Sequence, residues 1–183
     1  MNEHLKPVFQ TVLPELEKTQ IDYWVYGGVG IVACVGRFIR TNQDVDIFIK
    51  DIDFEKARLI LEKLCKQHVF EFSLIPSERP KIEIRINKNE IFSMIPVYQE
   101  ENEVVFKYEK KWGDDQRYSD KILEKVERKI LGYKFFTSKD DFIKDMFVRY
   151  IKARSDKIKR PKIIKDAKAI LTKDKRLELG FTE

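Results

Sequence analysis

Asp44 and Asp46 stand two apart at the head of an apolar run, Ile47 to Ile49. On a strand, side chains separated by two residues point to one face, so the two carboxylates are aimed together. Like charges held that close repel unless a cation lies between them. Mg²⁺ suits the pair, because it takes hard oxygen ligands and commonly uses one or two carboxylates alongside phosphate oxygens. Gly27 and Gly28 close an earlier apolar run, Tyr23 to Tyr26. Without side chains there, a phosphate can reach the backbone amides and the positive end of the helix that follows. Arg37 and Arg40 lie just before the aspartates, and a guanidinium matches phosphate oxygens two at a time. The chemistry such a set supports is metal-assisted handling of a polyphosphate, with activation of an attacking hydroxyl. Each part also has a plainer explanation. An Asp-x-Asp occurs on exposed strands, the glycines can serve only a tight turn, and either arginine can be solvated or hold a structural ion pair.

The elements that must position these residues are legible from periodicity. Leu5, Val8, Phe9, Val12, Leu13 and Leu16 recur at helical spacing, so residues 3–18 predict an amphipathic helix that Pro14 kinks or ends. Strands are expected at 23–26 and 44–50, joined by a short apolar helix from the glycines to Phe38. Asp51 or Asp53 is expected to cap a helix through Gln67 whose Phe54, Ala57, Leu61 and Leu64 share a face. Strand-like runs follow at 68–75, 81–87 and 90–98, the last two joined as a hairpin by Asn87-Lys88-Asn89. Residues 104–108 predict an edge strand and 110–119 a loop. Ser138 with Asp141 predicts a capping-box start for a helix to about Arg154, and Pro161 the start of another to about Thr172. The expected fold class is α/β (α+β): a mixed sheet flanked by helices over residues 1–110, with a helical C-terminal region, 111–183, packed on it.

The string Gly-Gly-x7-Gly-Arg-x2-Arg-x3-Asp-x-Asp, formed by Gly27, Gly28, Gly36, Arg37, Arg40, Asp44 and Asp46, resembles the nucleotidyltransferase superfamily. Within it, the chain resembles the small enzymes that modify lincosamides and aminoglycosides. The resemblance covers roughly Ile21 to Tyr98 and matches the helical tail only loosely, through Ser138, Lys162 and Asp166. It implies transfer of a nucleoside monophosphate from a Mg²⁺-bound NTP to an acceptor hydroxyl, on an antibiotic-like small molecule or on RNA or protein. By that resemblance Asp44 and Asp46 hold the metal ions, Gly27 and Gly28 cradle the phosphates, Arg40 lies near the triphosphate, and Arg37 is a ligand contact or an ion pair. A third acid is expected on a later strand, before a proline. Ser93 occupies that place in Ile91-Phe92-Ser93-Met94-Ile95-Pro96, and a serine is no base near neutral pH. Glu83 is the nearest substitute, with Glu90 and Asp114 as further acids. The departure motivates an alternative: a fold of this type that binds nucleotide, RNA or a protein partner without turnover.

Composition bounds the rest. The length fits one domain, or a domain with a helical appendage. No apolar run approaches the ~20 residues of a membrane span, and Met1 to Gln20 carries acids and a proline, unlike a signal peptide. Cys34 and Cys65 form no metal-spaced pair and are expected as reduced thiols of a cytoplasmic protein. His4 and His68 are expected at the surface. The net charge is +5, and from Lys139 to Glu183 basic residues outnumber acidic ones 14 to 8. Such a tail attracts phosphate-bearing partners or is simply a solvated helical face.

Overall fold

The computed structural model describes residues 2–107 and 114–182. Among the described residues nine strands form one mixed sheet. β1 (Tyr23–Tyr26) and β2 (Val45–Lys50) lie at its centre, antiparallel to one another. β2 runs parallel to β5 (Asn89–Glu100), which pairs with β4 (Lys81–Ile86), and β4 with the edge strand β3 (Glu71–Ile75). On the other side β1 pairs in parallel with β9 (Tyr133–Thr137), and β9 with β8 (Val126–Ile130). β6 (Glu103–Phe106) and β7 (Gln116–Ser119) extend the far end of β5.

Strand alternation divides the core into two. Tyr23 and Val25 of β1 and Val45, Ile47 and Ile49 of β2 face one side. There they meet the N-terminal helical segment and α3 (Phe54–His68), through Ala57, Leu61 and Leu64. Trp24 and Phe48 face the other, against α4 (Asp140–Ala153) and α5 (Pro161–Ile170). Phe48 anchors this second core. It stacks on Trp24 at 5.3 Å and meets Phe106 edge-on at 5.1 Å, and Phe142 of α4 completes the cluster. Asp46 lies two residues before Phe48, so it belongs to the face that α4 and α5 cover.

Several expectations hold in substance. Pro14 does interrupt its helix. The backbone widens to a π turn over Val8–Val12, where Leu13 N donates to Val8 O, and then tightens into α1 (Leu13–Lys18) with the proline at its start. Proline lacks the N–H that would bond four residues back, and the wide turn spares the ring a clash with that carbonyl. The Asn87-Lys88 turn has both residues at positive φ, 50° and 65°, as a tight hairpin requires.

Others need correcting. The chain beyond residue 111 is not uniformly helical, because β7, β8 and β9 precede α4 and β9 joins the centre of the sheet. The expected loop at 110–119 contains β7; its residues 110–113, like Tyr108 of the expected edge strand, lie outside the described residues. Neither proposed cap forms. Asp53 makes no side-chain cap bond to α3, and Ser138 donates to the Ile122 carbonyl at 2.6 Å instead of capping α4. A short α6 (Lys173–Glu178) follows α5, with Thr172 accepting from Lys175 N. No helix among the described residues is long and apolar enough to cross a membrane.

Candidate active site

The expected residues converge where β1 meets α2 (Gly27–Val35). Register places Tyr26, Asp46, Ser93 and Glu83 in one row across β1, β2, β5 and β4. The strand-to-helix turn leaves no room for side chains. Gly27 sits at φ +61°, and a Cβ there would collide with the Oδ2 of Asp46. At Gly28 a Cβ would lie 2.6 Å from Asn42 Oδ1 and 2.7 Å from Arg40 Nη2. Carboxylate, carboxamide and guanidinium therefore crowd the first turn of α2, whose free amides and dipole favour an anion.

This corner opens into a cleft of about 520 Å³. Gly27, Gly28, Arg40, Asp44 and Asp46 line it. So do Asn42, Arg79, Gln116, Lys162 and Asp166, and Ile143, Met146, Phe147 and Tyr150 of α4 supply an apolar wall. The α4 residues recur at helical spacing, so in the sequence they read only as core. Asn42 carries no periodic signal; its nearness to Asp44 was the one available hint.

Both aspartates hold their protons more tightly than free carboxyls do. Burial, then the neighbouring Asp46, pushes Asp44 up to about 6, against the pull of Lys81 and Lys162. Burial raises Asp46 as well, opposed first by the Ser93 hydroxyl, whose Oγ donates to Asp46 Oδ1 at 2.6 Å. Serine thus stands beside the pair as a hydrogen-bond donor. Two half-buried carboxylates lacking full compensation are the donor set a divalent cation relieves. Among the described residues no group of three or more His, Cys, Asp or Glu is arranged to hold a metal.

The remaining candidates are placed differently. Arg40 is bound at both ends of its fork to Asp166 of α5, at 2.7 Å each, while its Nη1 donates to the Thr41 carbonyl at 3.0 Å. Arg37 is exposed and does not line the cleft. Glu83 is buried beside Ser93 but accepts from Lys81 at 2.8 Å and from Arg85. Glu90 shares the same lysine at 2.9 Å, and Asp114 is exposed. His4 is exposed as expected, yet its Nε2 donates to the Asn42 carbonyl at 2.9 Å, tying the N-terminus to the loop before β2. Met146 of α4 belongs to the apolar wall.

Residues 8–92 match the model of the aminoglycoside-2''-adenylyltransferase family, a stretch that holds both glycines, both arginines and both aspartates. No curated protein matches the chain by sequence. Among solved structures it is similar to the lincosamide antibiotic adenylyltransferase LnuA bound to lincomycin. There the identity is 14%, the alignment covers 90% of this chain and 97% of that one, and the TM-score is 0.59. The solution structure of the antibiotic-resistance factor ANT(2'')-Ia is 16% identical over 98% of this chain and 90% of its own, with a TM-score of 0.64. A crystal structure of ANT(2'')-Ia with adenylyl-2''-tobramycin is 11% identical over 94% and 92%, at 0.59. At these identities the likeness shows a shared fold, that of the lincosamide and aminoglycoside nucleotidyltransferases.

Proposed function

We propose that this chain, which has the nucleotidyltransferase fold, transfers a nucleoside monophosphate from a Mg²⁺-bound NTP to the hydroxyl of an acceptor in the cytoplasm. The observation that carries the proposal is the meeting of Asp44, Asp46 and the Gly27-Gly28 turn at one corner of a cleft. Asp44 and Asp46 would hold Mg²⁺, which when bound neutralises their repulsion and draws charge from the triphosphate. Gly27 and Gly28 admit the phosphates to the amides of α2. Arg40, fixed by Asp166, presents its remaining N–H groups over the same turn. The acceptor hydroxyl gives its proton to a base or to water, its oxygen attacks the α-phosphorus, the bond from that phosphorus to the bridging oxygen breaks, and pyrophosphate leaves.

The apolar wall of α4 and a cleft of about 520 Å³ suit a small acceptor. The related structures were solved with lincomycin and an adenylylated tobramycin, and an antibiotic-like molecule is the acceptor favoured here over RNA or protein. Glu83 is the candidate third acid, one strand beyond Ser93 in register. Serving as base requires it to shed Lys81 or Arg85.

The test is incubation with each α-labelled NTP, Mg²⁺ and, in separate arms, lincosamides, aminoglycosides, RNA and cell extract. Label in a small molecule, with release of pyrophosphate, is expected. Label in RNA or protein alone would move the acceptor to that class. A second reading has its own observation, the Ser93 hydroxyl on Asp46 in place of an acid. It is a nucleotide-binding protein without turnover, and Mg²⁺-dependent NTP binding with no labelled product would select it.

A further inference from the structure

Away from the glycine turn, the cleft runs along α4. Half-buried Met146 and exposed Tyr150 present carbon surface to it, backed by buried Ile143 and Phe147. Among the described residues three carboxylates line the cleft: Asp44, Asp46 and Asp166. The first two form the candidate metal site, and Asp166 is bound through both oxygens to Arg40 at 2.7 Å. The other charged side chains of the lining are Arg79, Arg154 and Lys162, all basic. The Lys162 charge is felt at Asp44, and Lys157 Nζ stands 5.4 Å over the Tyr150 ring. Acids close by have other partners. Asp145 of α4 accepts from Arg149 at 2.7 Å, and Asp156 pairs with Arg154 at 3.6 Å; neither lines the cleft.

We propose that the acceptor is a hydroxyl-bearing small molecule with an apolar part and at most one positive charge, and that this cleft rejects polycationic aminosugars. The proposal rests on the nucleotidyl-transfer reading and deepens it, dividing the acceptor class left open there. An ammonium group that enters a cleft loses hydration, and a carboxylate partner is what offsets the loss. Each lining carboxylate here is committed to a metal ion or to Arg40. The triphosphate charge falls at the glycine turn, where Mg²⁺, Arg40 and the α2 amides meet it. Beside α4 the lining bases remain, and like charge is how a site turns away the wrong ligand. An apolar body instead gains by covering Met146 and Tyr150.

The experiment uses the full chain and three probes. Lincomycin carries a single basic amine beside an apolar part, a phenyl glycoside is uncharged, and tobramycin is a polycation. Calorimetry first finds an NTP that binds with Mg²⁺. Absence of such binding for every NTP defeats this inference together with the reading beneath it. Transfer from that NTP, α-labelled, is then measured as kcat/KM for each probe. Binding of each probe to the complex with Mg²⁺ and a non-hydrolysable analogue is measured alongside. Lincomycin or the glycoside is expected to exceed tobramycin by about 100-fold. Met146→Glu and Tyr150→Glu each add a carboxylate to the wall and should narrow that gap about tenfold, chiefly by tightening tobramycin. Thermal unfolding checks both variants, and the exposed Tyr150 position decides should Met146→Glu not fold. Tobramycin bound or labelled as well as the other probes overturns the proposal. So does a gap that a folded variant leaves unmoved, or failure of both other probes to bind. These results leave nucleotide binding itself standing.

Discussion

At the residue scale, the two aspartates carry opposite demands of stability and chemistry. Asp44 has its pKa pushed up to about 6 by burial and by Asp46. Its folded-state pKa thus exceeds that of an unfolded carboxyl, and the folded chain binds the proton more tightly. The charged form costs stability above about pH 6, and the cost is relieved as pH falls through that value. In metal-free buffer with chelator, Asp44→Asn is expected to gain about 1–2 kcal/mol at pH 7.5 by denaturant unfolding, with the gain shrinking toward pH 5. Asp44→Asn with Asp46→Asn should abolish Mg²⁺-dependent NTP binding in calorimetry while the fold persists. Unchanged affinity would remove the metal assignment. Ser93→Asp would place a third carboxylate against Asp46, where the hydroxyl now donates. The expected result is a less stable free protein, tighter Mg²⁺ binding, and transfer raised by up to about 10²–10⁴-fold if a missing base limits the wild type.

At the element scale, Arg40 and Asp166 join the loop before β2 to α5. Their side chains are 12% and 3% exposed, so solvent screens the pair little. Removing one partner strands a buried charge, at a cost of roughly 3–5 kcal/mol. Asp166→Ala should therefore lower stability by about that amount and speed amide exchange in Pro161–Ile170 more than in α3. Exchange rising equally in both helices would mean that the pair does not specifically dock α5. The glycine turn obeys a similar logic. Gly27→Ala demands a positive φ of a residue with a Cβ and drives that atom into Asp46. A loss of about 1–3 kcal/mol, with NTP binding weakened as Asp46 shifts, is expected from unfolding and calorimetry.

At the scale of the whole molecule, the sheet does not divide at residue 110, where the order of predicted elements suggested. β9 pairs with β1 at the centre, and Phe142, Phe147 and Ile163 cover the face that bears Trp24 and Phe48. A fragment ending at residue 110 would leave that aromatic surface open to water. It is expected to lack dispersed amide resonances and to aggregate, whereas the full chain folds. A well-dispersed spectrum from the fragment would show that the first part stands alone.

The strands and helices around the glycines and aspartates were readable because their signals are local. A short apolar run marks β1, alternation at its start marks β2, and glycine at a strand end marks the start of α2. The same spacing set Asp44 and Asp46 on one face, and resemblance supplied the rest of the motif. What the sequence could not supply depends on partners distant along the chain. β8 and β9 are short and charged, at Val-Glu-Arg-Lys-Ile and Tyr-Lys-Phe-Phe-Thr, and become strands because β1 offers a free edge. Arg40 reads in sequence as a phosphate contact or an ion-pair partner, and only the fold shows that Asp166, from α5, holds its fork. Glu83 reads equally as a site acid or as a solvent-facing partner of Arg85; strand register buries it and sets it between Arg85 and Lys81. Asn42 is unremarkable in sequence and becomes a buried acceptor without a donor only when Gly28, Arg40 and the N-terminus close around it. Sequence determined which groups of this chain are able to bind metal and phosphate. Tertiary structure decided which of them stay available, since only long-range packing fixes what each charge and each buried oxygen meets.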